Sequence, residues 1–101
     1  MQTVRMVQIG IKMNPSLKAL TGTSHSVFSV PGDSSVRDAL KRWILPFEDS
    51  LYRRYGFNDV QGFLDCFIIL RNGTHLSQED QSDTKVQEGD LIEIVEVIAG
   101  G

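Results

Sequence analysis

The chain has 101 residues, 41% of them hydrophobic and 23% charged, with a formal net charge of −3. Its single cysteine excludes a disulfide framework, a four-cysteine iron–sulfur cluster and a four-thiolate zinc site. No apolar run nears the roughly 18 residues of a membrane span, no basic-then-apolar leader opens the chain, and the acidic balance argues against nucleic acid as the main partner. The expectation is one cytoplasmic domain over residues 1–101, without nucleic acid or membrane as partner. The charge is unevenly spread. Residues 1–58 hold eight basic side chains against four acidic, and residues 59–101 hold two basic (Arg71, Lys85) against nine acidic. An acidic C-terminal half steers basic partner surfaces.

Val7 to Met13 alternates apolar and polar residues, the pattern of a half-buried strand. Asn14-Pro15 stops it, because proline has no ladder N–H. Leu17 and Leu20 belong to a connection tucked under the sheet. His25 to Val30 reads as a second strand, antiparallel to the first and ended by Pro31-Gly32. A helix follows. Ser34 or Ser35 can cap it, Asp38 suits its N-terminal end, and Val36, Leu40, Trp43, Ile44 and Phe47 form one apolar stripe. Arg37, Asp38, Lys41 and Arg42 lie off that stripe. Pro46 ends or kinks the helix, and Phe47, Leu51 and Tyr55 predict a further turn or two, closed by Gly56.

Cys66 to Leu70 is an unbroken apolar run, as in a strand covered on both faces. Asn72-Gly73 is a hairpin-turn signal, since a type I′ turn needs positive φ at both positions. Residues 74–88 read as polar and irregular. Gly89-Asp90 turns the chain into a last strand, Leu91 to Ile98. The order strand, strand, helix, strand, strand predicts an α+β, β-grasp fold. It would have a mixed sheet of four to five strands, one main helix on one face, and first and last strands side by side.

No catalytic set is visible. His25 reads as an edge-strand residue and His75 as a loop residue. Cys66 reads as a small hydrophobe opening a strand, and Trp43 as core. No glycine-rich phosphate loop and no metal site is expected. The feature that stands out is the ending, Val97-Ile98-Ala99-Gly100-Gly101, directly after a strand. A carboxylate on residues without side chains can thread a narrow channel where others clash.

The segment Val86-Gln87-Glu88-Gly89-Asp90-Leu91-Ile92-Glu93-Ile94-Val95-Glu96-Val97-Ile98-Ala99-Gly100-Gly101 resembles the C-terminus of the ubiquitin-like sulfur carriers. These are the thiamine sulfur carrier (ThiS) and the small subunit of molybdopterin synthase (MoaD). Gly89-Asp90 and Asn72-Gly73 match family turns. Leu17-Lys18-Ala19-Leu20-Thr21-Gly22 and Ser35-Val36-Arg37-Asp38-Ala39-Leu40 are similar to the MoaD-like members. Residues 46–65 are longer than the pattern and read as an extra helical arm or lid. Glu96 stands near the place where ubiquitin carries arginine, which argues against a ubiquitin-type activating enzyme.

The resemblance implies a carrier rather than an enzyme, one that can be counted as the small subunit of a sulfurtransferase. An ATP-dependent adenylating enzyme would activate the Gly101 carboxylate, a persulfide would convert it to a thiocarboxylate, and a biosynthetic enzyme of the molybdopterin or thiamine type would accept the sulfur. Gly101 is the reactive residue in this reading, with Gly100 and Ala99 as the slender residues of a flexible tail over 99–101. Phe67, Ile69, Val95, Val97 and Ile98 are the expected partner interface. No cofactor is bound by the chain, and ATP and zinc belong to the activating enzyme. The alternatives are a ubiquitin-like modifier joined through Gly101 to lysines of targets, and a β-grasp module whose tail has no chemistry. A β-grasp ferredoxin fails on cysteine count.

Overall fold

The computed structural model describes residues 5–13, 21–57 and 59–96. Among the described residues, five strands and three helices of six or more residues carry the fold. The strands are β1 (Met6–Met13), β2 (His25–Pro31), β3 (Phe67–Arg71), β4 (Thr74–Leu76) and β5 (Leu91–Glu96). The helices are α1 (Val36–Ile44), α2 (Val60–Asp65) and α3 (Gln78–Asp83). The sheet order is β2-β1-β5-β3-β4. β1 and β5 run parallel, Gly10 opposite Leu91 through Met13 opposite Ile94, while the other neighbours are antiparallel. First and last strands lie side by side, as the β-grasp reading requires.

Strand periodicity places Val7, Ile9, Ile11 and Met13 on the covered side of β1, and Ile92 and Ile94 on the covered side of β5. Helix α1 lies against them. The Ser35 hydroxyl accepts the Asp38 N–H at 3.0 Å, and Lys41 and Arg42 favour the carboxyl end of the helix. The stripe read from sequence holds: Val36, Leu40, Trp43 and Ile44 are buried, and Phe47 is half-buried against the core. Arg37 departs from it. Expected off the apolar face, it is 3% exposed, with Nη2 3.0 Å from Asp65 Oδ1 at the end of α2. The opposite charge makes that burial tolerable.

The arm over 46–65 is helical. Leu45–Phe47 forms a 3₁₀ turn with Pro46 in its first turn, Glu48–Ser50 one α-turn, and Leu51–Tyr55 a π-turn closed by Gly56 at φ +71°. The further turns expected before Gly56 are therefore present. α2 is the last part of that arm. Its Asp59 carboxylate caps the Gly62 N–H, and its Phe63 and Leu64 are buried. Phe63 links the arm to the sheet, its ring 5.3 Å from that of Phe57 and 4.8 Å from that of Phe67.

Residues 74–88, expected to be irregular, contain β4 and α3. The Ser77 hydroxyl caps the Asp80 N–H at 3.0 Å, and Gln81 is buried, donating from Nε2 to the Leu76 carbonyl at 3.0 Å. His75 accordingly lies in β4 rather than in a loop. Cys66 is exposed and caps α2, its thiol 3.3 Å from the Gly62 carbonyl, so it is neither buried nor the first residue of β3. Among the described residues, no helix is long and apolar enough to cross a membrane.

Candidate functional site: the open sheet face and the start of the C-terminal segment

β5 is the strand that leads to the C-terminal glycines, and two turns fix where it starts. Gly89 sits at φ +84°, a left-handed conformation that favours glycine, and its N–H donates to the Gln8 carbonyl at 2.8 Å. Asp90 follows, buried. Its carboxylate accepts Arg71 Nε at 2.9 Å, Asn72 Nδ2 at 3.0 Å and the Gln87 N–H at 2.8 Å. Asn72 Oδ1 accepts the Leu91 N–H at 2.8 Å, and the Asn72 N–H donates to the Leu91 carbonyl at 2.8 Å. Asn72 and Gly73 both have positive φ, as the turn between β3 and β4 requires. The Asn-Gly and Gly-Asp motifs are thus two halves of one lock that sets β5 against β1 and β3.

Burial alone would raise the Asp90 pKa. The hydrogen bonds from Asn72, the Gln87 N–H and Arg71 outweigh it, together with the Arg71 charge, and hold the carboxyl below its ordinary range. The side chain is therefore an anion that fastens the fold.

Among the described residues, helices cover one face of the sheet. Pairing opposes Ile68 to Val95 and Leu70 to Glu93 in β3 and β5, Gly10 to Leu91 and Lys12 to Glu93 in β1 and β5, and Leu70 to His75 in β3 and β4. Directly opposed residues point to the same side. Ile68, Leu70, Leu91 and Val95 therefore form a half-buried apolar centre on the open face, bordered by Lys12, Glu93, His25 and His75. Gly10 makes room for this centre: a Cβ there would stand 3.3 Å from Leu91 Cδ1 and 3.4 Å from His25 Nε2.

The expected interface residues divide between the two faces. Val95 lies on the open face. Phe67 and Ile69 lie on the helix side, Ile69 fully buried and Phe67 half-buried against Phe63. β3 is accordingly covered on one face, not on both. The sequence reading missed Ile68, Leu70 and Leu91. Glu93 carried the signal for Leu91: a single charge among apolar neighbours sets the phase of β5 and puts residues 91, 93 and 95 outward. Val97, Ile98, Ala99, Gly100 and Gly101 lie outside the described residues. Among the described residues, no group of three or more His, Cys, Asp or Glu side chains could hold a metal ion.

The fold is shared with known proteins. Small archaeal modifier protein 1 from Haloferax volcanii is 22% identical, with a TM-score of 0.69 over 91% of this chain and 99% of its own. The complex of subunits 1 and 2 of the molybdopterin-converting factor from Helicobacter pylori contains a chain 16% identical, with a TM-score of 0.53 over 94% of this chain and 100% of that one. Urm1 from Trypanosoma brucei is 12% identical, with a TM-score of 0.62 over 98% and 100%. At these identities the likeness is one of fold, and the fold is the ubiquitin-like β-grasp. No curated protein matches the sequence significantly. The family model for ThiS matches residues 11–101, nearly the whole chain and its final Gly-Gly included, and this chain belongs to the ThiS family.

Proposed function

We propose that this chain is a sulfur carrier whose Gly101 carboxylate is the working group. The observation that carries the proposal is the family match, which spans residues 11–101 and so reaches Gly101. The carboxylate attacks the α-phosphate of ATP held by an activating enzyme, releasing pyrophosphate and forming an acyl-adenylate. A persulfide on a partner displaces AMP, and thiol cleavage of the resulting S–S bond leaves the thiocarboxylate. An accepting enzyme of cofactor biosynthesis, molybdopterin or thiamine type, then takes the sulfur. ATP and zinc sit on the activating enzyme, and a cytoplasmic setting goes with ATP as co-substrate. The complex of converting-factor subunits in Helicobacter pylori supports a biosynthetic acceptor.

The chain contributes no acid or base to these steps. It contributes a docking surface and a carboxylate within a short reach of it. Five residues follow Glu96, a span of at most about 17 Å when extended. The open face supplies the docking surface, with Leu70 and Ile68 at its centre and Lys12 and Glu93 at its border. Leu70→Lys tests this. Opposite Glu93, the lysine finds a cross-strand partner and keeps its stem on the sheet, so the melting temperature should stay within a few degrees. Loss of the apolar contact should lower kcat/KM for adenylation by about tenfold or more, on the scale of one buried leucine. Adenylation at the unsubstituted rate would remove the open face from the account.

A second reading, a modifier joined through Gly101 to target lysines, has the similarity to small archaeal modifier protein 1 in its favour. It shares the adenylation step and parts from the carrier reading afterwards.

A further inference from the structure

The sheet has two edges, and they differ. β4 has three residues, and Gln81 of α3 donates to its Leu76 carbonyl. β2 has seven residues, no Lys, Arg, Asp or Glu, and one-to-one register with β1 from Met6 opposite Pro31 to Lys12 opposite His25, without a bulge. Long, flat, uncharged edges are those that pair with other chains.

The hydrogen bonds show which groups of β2 are open. The Gly32 N–H donates to the Arg5 carbonyl at 2.7 Å, and the Met13 N–H to the Ser24 carbonyl at 3.0 Å. Bonded and non-bonded pairs alternate along an antiparallel ladder. Residues 24, 26, 28 and 30 therefore bond β1, while residues 25, 27, 29 and 31 turn their main-chain groups outward. The Thr23 hydroxyl occupies His25, accepting its N–H at 3.3 Å and donating to its carbonyl at 2.9 Å. Pro31 has no N–H. Val27 and Ser29 remain, with N–H and C=O groups that no described residue meets, and the Val27 side chain is 67% exposed.

We propose that β2 pairs antiparallel with β2 of a second copy of this chain, about a two-fold axis through Phe28. In this register Val27 of each copy meets Ser29 of the other, and four main-chain hydrogen bonds satisfy the open groups of both. A shift by two residues sets Ser29 against His25, whose main-chain groups the Thr23 hydroxyl occupies, or Val27 against Pro31, which has no N–H for the Val27 carbonyl. Phe28, half-buried on its own core, meets Phe28 of the second copy as a close, non-bonded pair, a favourable aromatic contact across strands.

Charge favours the same symmetry. The groove beside the edge is lined by Pro31, Asp33, Ser34 and Asp38, then Lys41 and Arg42. It runs from acid to base, and none of its four charged residues is in an ion pair among the described residues. A two-fold axis reverses the groove and sets the acidic end of one copy toward the basic end of the other, as an interface between identical patches requires. Pairing edge to edge leaves the open face uncovered.

Sedimentation of the full chain, diluted from about 1 mM to about 1 µM, tests this over the range expected of a small interface. The weight-average mass should fall from near twice 11.3 kDa toward 11.3 kDa. Amide exchange at Val27 and Ser29 should slow with rising concentration. Ser29→Pro removes an outward N–H that β1 does not use, and should weaken association at least tenfold with the circular dichroism unchanged. If that variant does not fold, Val27→Lys should weaken association in the same way. A mass of 11.3 kDa throughout would overturn the proposal and leave the edge to an extended segment of another protein. Association unchanged in the edge variants, with Val27 and Ser29 unprotected, would overturn it too.

Discussion

Removing Gly101 is expected to leave a folded chain that accepts neither AMP nor sulfur. β5 is anchored through Asp90 and paired from Leu91 to Glu96, so nothing described in the fold depends on the last residue. Shortening the C-terminal segment withdraws the carboxylate from the nucleotide by about 3.5 Å, one extended residue. A misplacement of about 1 Å already costs about 100-fold in a positioned reaction. Gly100→Val makes the same point at constant length. A branched side chain beside the reacting carboxylate should lower adenylation at least about 100-fold, measured by pyrophosphate release, while the thermal melt stays in place. Adenylation of either variant at the full rate would place the chemistry elsewhere in the chain.

Asp90→Ala is expected to be the most damaging single substitution in the lock beneath β5. It leaves the Arg71 charge without its carboxylate and the Asn72 amide and Gln87 N–H without acceptors. Stranded buried donors of this kind cost on the order of 2–4 kcal/mol together, enough to lower the melting temperature of a domain this size by more than 10 °C. The same carboxylate gives stability a pH dependence. Its folded pKa is lowered below the ordinary value by the bonds from Asn72, Gln87 and Arg71, which outweigh burial. A depressed acid contributes its full stability above the unfolded pKa, about 3.9, and loses it as pH falls through the lower folded value. Denaturant melts from pH 6 downward should therefore weaken below about pH 4. That slope should be smaller in Asp90→Asn, which has no carboxyl to titrate. An unchanged slope would assign the acid sensitivity to other groups.

What could be read in the sequence was what repeats with a period or needs a special backbone angle. The α1 stripe recurs at helical spacing, and all but half-buried Phe47 of its residues are in the core. β1 alternates, and its apolar residues are the covered ones. Asn72-Gly73 and Gly89 announce positive φ, and each has it. The β3 run Phe67 to Leu70 has no alternation, so its phase could not be read. Only pairing with β5, where Glu93 sets the phase, shows Ile68 and Leu70 outward and Ile69 inward. α2 and α3 have six residues each, too short for a period to show. The Ser77-x-x-Asp80 cap was the available signal for α3. Arg37 is buried because Asp65, 28 positions away, lies 3.0 Å from its guanidinium, and no local pattern encodes such a pair. The terminal Gly100-Gly101 pair, on which the proposed chemistry rests, stands in the sequence itself and lies outside the described residues. The open face could not be read, because residues of five strands form its centre and border.

The most direct test of the central claim is the intact mass of the chain isolated from its native host, with fragmentation of the C-terminus. The carrier account predicts Gly101 with sulfur in place of one carboxylate oxygen, and a greater share of that form under growth that demands sulfur transfer. A plain carboxylate on Gly101 under the same growth, or Gly101 found joined to lysine side chains, would contradict it.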